Sequence, residues 1–313
     1  LIDRTNQIAG AAAAAPAKSR RRAGIGRRTA IAALLFAAPA FIMYAAFVLV
    51  PLAMSVFYSL QRWDGIGKMR FVGLNNYLIV LTDADLLQVI GNAFLLAAWF
   101  TLIPVVLGLA VAAAIREHLG GPFGTATRTI LFLPQVIPLV AAGIAWSWMF
   151  ANTGLVNQAL RGIGLEALAR GWLGDFTFAL PAVGIIGAWV LLGLCTMLLV
   201  TGITKIDPSL YEAARLDGAG PWDEFIYITL PGLRQELGVC VTVTVIAALA
   251  SFDIVYIATG GGPGIQTTVP GLEIYRLAFA HRQVGLASAL AIFLMVLVLV
   301  CVLPIQWLTR VRR

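Results

Sequence analysis

The sequence predicts an all-α integral membrane protein of six transmembrane helices with both termini in the cytoplasm. Hydrophobic residues make up 60% of the chain and charged residues 12%, whereas a soluble domain is about half apolar and about a quarter charged. The mean hydropathy is +0.90. Uncharged runs long enough to cross about 30 Å of hydrocarbon, roughly 20 helical residues, recur along the chain. Lys and Arg alternate in density between successive connections, as expected when positive charge stays in the cytoplasm.

Five runs meet the length requirement outright: Thr29 to Gln61, Leu86 to Ile115, Thr129 to Leu160, Phe176 to Thr204 and Gln283 to Thr309. A sixth, Leu237 to Phe252, is short unless it continues past Asp253 toward Ala258. Residues 1–28, 116–128, 205–236 and 310–313 then share a side and carry 7, 2, 3 and 3 Lys/Arg, against 3, 2 and 2 in residues 62–85, 161–175 and 253–282. That tally, 15 against 7, sets the orientation. Residues 1–28 are expected to form a flexible basic tail on a six-helix domain of residues 29–313. Arg20, Arg21, Arg22, Arg27 and Arg28 sit just before the first run, where they meet anionic lipid head groups; membrane lipid rather than nucleic acid is the partner they imply. An Arg-Arg pair can also open an export signal, but this apolar run far exceeds the 7–15 residues of a signal core and reads as a retained helix.

Cys195, Cys240 and Cys301 each fall in a different run and read as packing residues. The two histidines, His118 and His281, have no Cys or carboxylate at metal-ligand spacing, so no metal is expected. Catalytic signatures are missing too. The nearest approach to a phosphate loop, Gly67-Lys68, has Met69 where Ser or Thr is needed and Arg62 in place of the first glycine. Five of the six runs contain no Asp, Glu, Lys, Arg or His, and only Asp253 lies at the end of one, which argues against proton relay inside the membrane. Uphill work would have to draw on a partner.

Against this background the segment YEAARLDGAGPWDEFIYITLP, residues 211–231, is a polar island. Asp207-Pro208 is a helix start, with an acidic N-cap and proline at the first position. Gly218 supplies a left-handed stop. Gly220-Pro221 starts a second helix, with Asp223 and Glu224 in its positive first turn, and Leu230-Pro231 is expected to close it. Two such short helices are marginal alone in water, so they read as a docking element. Ala213 and Ala214 let a partner surface approach while Glu212 contacts it.

Glu212-Ala213-Ala214, three residues, Gly218, nine residues and Ile228-Thr229-Leu230-Pro231 match E-A-A-x3-G-x9-I-x-L-P, the cytoplasmic loop of binding-protein-dependent ABC importer permeases. The stretches 58–77, 252–268 and 285–293 resemble the carbohydrate branch, of maltose and glycerol-phosphate type, and specifically the first permease of a heterodimeric pair. The resemblance implies a type I importer permease fold in the cell membrane of a bacterium or archaeon. It also implies a second, homologous permease subunit, two cytoplasmic ATPase subunits that use ATP and Mg, and an extracytoplasmic sugar-binding protein. This chain itself would bind no cofactor and catalyse nothing. Residues 205–236 would be the coupling loop, with Glu212, Ala213, Ala214, Arg215, Asp217, Gly218 and Pro231 as its ATPase-facing segment.

Aligned on Glu212, the sugar-lining positions of the maltose-type relatives fall on Gly187, Val190, Leu191 and Leu194 and on Thr244, Ala247 and Ala248. Most are apolar here. Thr244 and Ser251, seven apart, share a helix face, and Trp189 offers either an aromatic platform for sugar or a packing surface. Trp146 and Trp148 read as interfacial anchors. Asp253 and the turn Gly260, Gly261, Gly262, Pro263 belong at the outer mouth. A gradient-driven carrier or channel for small polar solutes and an ABC permease for a non-sugar polar solute remain as alternatives.

Overall fold

The computed structural model describes residues 27–116 and 121–309. The basic tail up to residue 26, His118 and residues 310–313 lie outside the described residues. The chain divides into two units, Leu1–Leu52 and Ala53–Arg313. In the first, α1 (Arg27–Tyr44) passes through a π turn, Ala45–Leu49, into the opening residues of α2 (Val50–Ser59), the rest of which belongs to the second unit. Phe36, Phe41 and Phe47 are exposed on it, as on a helix whose solvent is hydrocarbon.

Helix α2 ends at Ser59, not at Gln61 as the apolar run suggested. Gln61 and Arg62 (β1) pair antiparallel with Phe71 and Arg70 (β2). Buried Asn76 fixes the corner by donating to the carbonyls of Ser59 and Gln61. The short α3 (Asn75–Thr82) follows. The N-cap Asp83 then accepts the N–H groups of Asp85 and Leu86, both at 3.0 Å, and opens α4 (Ala84–Ala114). At 1.5 Å per residue α4 is about 46 Å long, enough to cross the bilayer with a projecting end.

The third expected span, Thr129 to Leu160, is not one helix. Residues Gly124–Val136 and Leu139–Met149, the bodies of α5 (Pro122–Val136) and α6 (Leu139–Met149), meet at 98°. The residue before a proline is pushed out of the helical region, and Ile137, preceding Pro138, is extended with ψ 128°. A count of apolar residues does not register that break. Residues Leu155–Gly162 form a separate helix, α7, anchored by buried Asn157, which accepts from Trp172 Nε1 at 3.0 Å and donates to the carbonyl of Arg170 at 2.8 Å.

The fourth span is α8 (Ala179–Ile203). After it come α9 (Pro208–Leu216), α10 (Pro221–Glu224), α11 (Leu230–Gly232) and α12 (Arg234–Leu249). The run from Leu237 breaks at residues 250–252 before α13 (Asp253–Ala258). The chain closes with α14 (Pro270–Tyr275) and α15 (Val284–Thr309). Among the described residues four helices are long and apolar enough to cross a membrane, and the count rises to as many as six if each bent pair is one span.

The second unit is held by three buried clusters. One gathers Leu96, Val183, Ile186, Val255 and Leu272, a second Leu199, Ile203, Leu233 and Cys240, and a third Val80, Leu277 and Leu290. The first two lie largely along the α4–α8 contact, so these helices form a common wall. Trp148 is exposed, as an interfacial anchor requires. The half-buried Trp146 ring packs on Phe150 and Trp189, with centroids 5.1 and 5.6 Å away.

Candidate functional site

The polar island folds as its local signals dictate up to one point. Asp207 accepts the N–H of Ser209 at 2.9 Å, and Pro208 occupies the first position of α9. That backbone hydrogen bond, with one from the Ser209 side chain, holds the Asp207 carboxyl below its usual range. Gly218 closes α9 with φ +86°, while its N–H and that of Ala219 return to the carbonyls of Arg215 and Ala214. Asp223 accepts the N–H of Gly220 at 3.0 Å. Leu230-Pro231 does not close the second helix. A π turn, Phe225–Thr229, carries the helical path to Gly232, and a bend of 68° then leads into α12. Pro231 falls just after that π turn, so its missing N–H is taken up within the helical path and does not end it.

Glu224 departs further from its expected role as a first-turn charge. It is 4% exposed and accepts from Arg215 Nε and Arg116 Nη2, each at 2.6 Å. The hydrogen bond from Arg215, then that from Arg116, holds its carboxyl below the usual range against the opposing effect of burial. The Arg116 guanidinium lies 4.0 Å above the Tyr211 ring. The Tyr211 hydroxyl meets Thr229 Oγ1 at 3.0 Å, and Thr229 in turn donates to the Glu224 carbonyl at 3.3 Å. Arg116, just beyond α4, is thereby tied to both short helices. Lys205 and Glu236, 2.9 Å apart, join the two ends of the loop; with Lys205 largely exposed, that pair contributes little.

What this framework presents outward is Glu212, Ala213, Leu216, Asp217 and Trp222, all exposed. Leu216 is 89% and Trp222 70% exposed. Glu212 makes no hydrogen bond or ion pair among the described residues. An unpaired carboxylate beside large uncovered apolar side chains is the composition of a docking surface.

A second feature lies where α5 breaks. A cavity of about 560 Å³ is walled by Gln135 and Pro138 at the bend, by Gly187, Val190, Leu191 and Leu194 of α8, and by Ala247, Ser251, Phe252 and Asp253 at the end of α12. Gln135 Oε1 is buried without a hydrogen-bond partner, a state that costs about 1–3 kcal/mol unless a ligand or water satisfies it. Ser251 and Asp253 complete the polar set, and Phe100 forms part of the apolar wall. Gly187 is required by close approach: a Cβ there would lie 2.0 Å from Phe100 Cζ.

The structure sorts the sequence candidates. Gly187, Val190, Leu191, Leu194, Ala247 and Ser251 line the cavity, and Asp253 joins them there instead of only shaping the outer mouth. Thr244 lies outside this lining, fully buried and bonded to Thr101 Oγ1 and the Cys240 carbonyl, both at 2.9 Å. Ala248 is in the first core cluster, and Trp189 packs on Trp146. The turn with Gly261, Gly262 and Pro263 is pinned from two sides. Arg276 donates to the Gly260 carbonyl and to Thr268, and Asn92 to the carbonyls of Ile265 and Thr268. Sequence reasoning missed Gln135, Glu224 and Arg116. Among the described residues no cluster of metal-binding side chains occurs.

Residues 104–311 match the family described as binding-protein-dependent transport system inner membrane component. The chain is 36% identical over 267 residues to the probable ABC transporter permease protein YurN of Bacillus subtilis, covering 85% of this chain and 91% of that one. It is 34% identical to the diacetylchitobiose uptake system permease protein NgcF of Streptomyces coelicolor, over 82% of this chain and 76% of the other. A solved bacterial ABC transporter involved in the import of the acidic polysaccharide alginate superposes with a TM-score of 0.75 at 25% identity, over 91% of this chain and 96% of that one.

Proposed function

Because the chain belongs to the binding-protein-dependent transport system inner membrane components and is a multi-pass, non-catalytic permease subunit of an ABC importer, we propose that its cargo is a sugar or short oligosaccharide. Membership in that family sets aside the gradient-driven carrier. The cavity at the α5–α6 break is the translocation site in this reading. The observation that carries it is the unpartnered Gln135 Oε1 in a chamber that also holds Ser251, Asp253 and two phenylalanines. Hydroxyl groups of a sugar would donate to Gln135 and Asp253 and exchange hydrogen bonds with Ser251, and the apolar faces of its ring would lie on Phe100 and Phe252. The carbohydrates named for the relatives support the same class.

The other partners follow from the same reading. A second permease subunit closes the pathway, a binding protein delivers the sugar from outside, and two ATPase subunits bind ATP and Mg and dock on residues 205–236 from the cytoplasm. Glu212, Ala213, Leu216 and Trp222 are the contact face. Closing of the ATPase dimer moves this element, and the membrane helices follow.

Gln135→Leu is expected to lower sugar uptake by the assembled importer about tenfold, the effect of one lost hydrogen bond to a bound ligand, with assembly and basal ATP hydrolysis unchanged. Unchanged uptake in Gln135→Leu combined with Ser251→Ala would move the site elsewhere. The permease purified alone is expected to hydrolyse no ATP, checked by phosphate release with and without added ATPase subunits.

A further inference from the structure

The hydroxyl groups of a sugar account for Gln135 and Ser251 in the chamber at the α5–α6 break, but they do not require a carboxylate there. Asp253 is the one acidic residue of the lining, and no Lys, Arg or His lines the chamber with it among the described residues. Among those residues its side chain forms no salt bridge and no hydrogen bond. Three basic residues of the outer side are engaged elsewhere. Arg161 donates to the Asn152 carbonyl, Arg170 donates to the Leu168 carbonyl and lies over the Phe178 ring, and Arg276 holds Gly260 and Thr268.

The rest of the wall acts in the same sense. Phe252, adjacent to Asp253 in the chain, stacks on Tyr256 with centroids 5.3 Å apart and lies 5.6 Å from the Tyr275 ring, so its place is held by neighbouring rings. Phe100 is the other aromatic residue of the lining. An aromatic ring carries negative charge on its face and attracts a cation there. A sugar acid entering the chamber gives up hydration of its carboxylate to a wall of aliphatic groups, two phenylalanines and a like charge, with only Gln135 and Ser251 as neutral polar partners. A neutral sugar has no such charge to desolvate. The ammonium of an amino sugar meets an opposite charge at Asp253.

We propose that this chamber sorts its cargo by charge: it admits neutral and amino sugars and turns away sugar acids, and Asp253 sets that sign. The proposal deepens the reading of the chamber as the translocation site and rests on it. It makes Asp253 a specificity-determining residue through its charge, beyond any hydrogen bond it accepts.

The test uses the assembled importer with Ser251→Cys in the permease and three small methanethiosulfonate reagents, the cationic trimethylammonium-ethyl, the anionic sulfonatoethyl and the neutral methyl compound. Each rate is divided by the rate of the same reagent with free cysteine. Labelling is read from the intact mass of the permease, and the permease without Ser251→Cys supplies the background from its own thiols. The cationic reagent is expected to react about tenfold faster than the anionic one, the order set by one unit charge acting at close range on probes of opposite sign in water. Asp253→Asn is expected to bring the two rates together, and Asp253→Lys to reverse their order. Glucose and glucosamine are expected to slow labelling by the neutral reagent, whereas glucuronate should do so only with Asp253→Lys. Equal rates for the two charged reagents before any change at Asp253 would overturn the proposal, as would a ratio unmoved by Asp253→Asn or protection by glucuronate equal to that by glucose; each of these results leaves the chamber in place as the site. If no reagent reaches the thiol, or if the reagents reach it and none of the three sugars protects it, the translocation-site reading itself fails and the proposal falls with it.

Discussion

Gly218→Val is expected to abolish recovery of the ATPase subunits with the permease and to reduce substrate-stimulated ATP hydrolysis to its basal rate. No atom beyond the adjoining residues lies within 4 Å of where a Cβ would stand at this position, so crowding by the rest of the fold contributes nothing. The penalty is conformational: φ is +86°, where an L-residue pays about 1–2 kcal/mol and a β-branched one more. Relief comes from rotating the backbone out of the left-handed region. That rotation breaks the return hydrogen bonds of Gly218 and Ala219 to Arg215 and Ala214 and swings Glu212 and Leu216 away from Trp222. Insertion into the membrane should be normal, since the turn is outside every span. Gly218→Asn is the discriminating control, because asparagine tolerates the left-handed conformation and should retain most of the coupling. Full activity in the valine variant would show that the face formed by the two helices need not be rigid.

The parts of this architecture written in the sequence are those with local causes. Asp207-Pro208, Gly218 and Gly220-Pro221 punctuate α9 and α10 at the expected residues, because capping and backbone conformation involve neighbours only. The spans were legible because bilayer thickness fixes their length, yet the break at Ile137-Pro138 lay hidden inside an uncharged run. Thr244 and Ser251 do not share a helix face as their spacing suggested, because α12 ends at Leu249 and Ser251 lies beyond it. Thr244 meets Thr101, while Ser251, beyond the end of α12, reaches the cavity. Gln135 was one polar residue in an apolar stretch, and only the bend gives it a chamber. The Arg116–Glu224 contact joins residues 108 apart in the chain, and no local pattern announces a pair of that kind.

That pair supports the second large effect: Glu224→Gln is expected to leave the importer assembled but uncoupled, with basal ATP hydrolysis retained and substrate stimulation reduced about tenfold, a loss of the order of one charge-assisted hydrogen bond. Glutamine matches glutamate in shape and retains one acceptor oxygen. Its amide group must then face a guanidinium, donor against donor, so at least one of the two 2.6 Å contacts is lost. Arg116 follows directly on the end of α4, α4 packs along α8, and α8 supplies Gly187, Leu191 and Leu194 to the cavity wall. Glu224 therefore closes a continuous route of packed groups from the docking face to the chamber, the kind of connection through which a displacement can be transmitted. Arg116→Lys keeps the charge but loses the planar fork of the guanidinium and should be intermediate. The sign of the pH dependence separates this role from simple packing. The Glu224 carboxyl is held below its ordinary range, so its contribution is complete above the usual carboxylate pKa and is lost only as pH falls through the depressed value in the folded protein. Coupling in the parent protein should thus persist through mildly acid pH and decline at lower pH, whereas the glutamine variant should be weakly coupled and flat over the same interval. Parallel pH profiles in the two proteins, measured as the ratio of stimulated to basal hydrolysis, would assign Glu224 to packing alone and remove it from the transmission route.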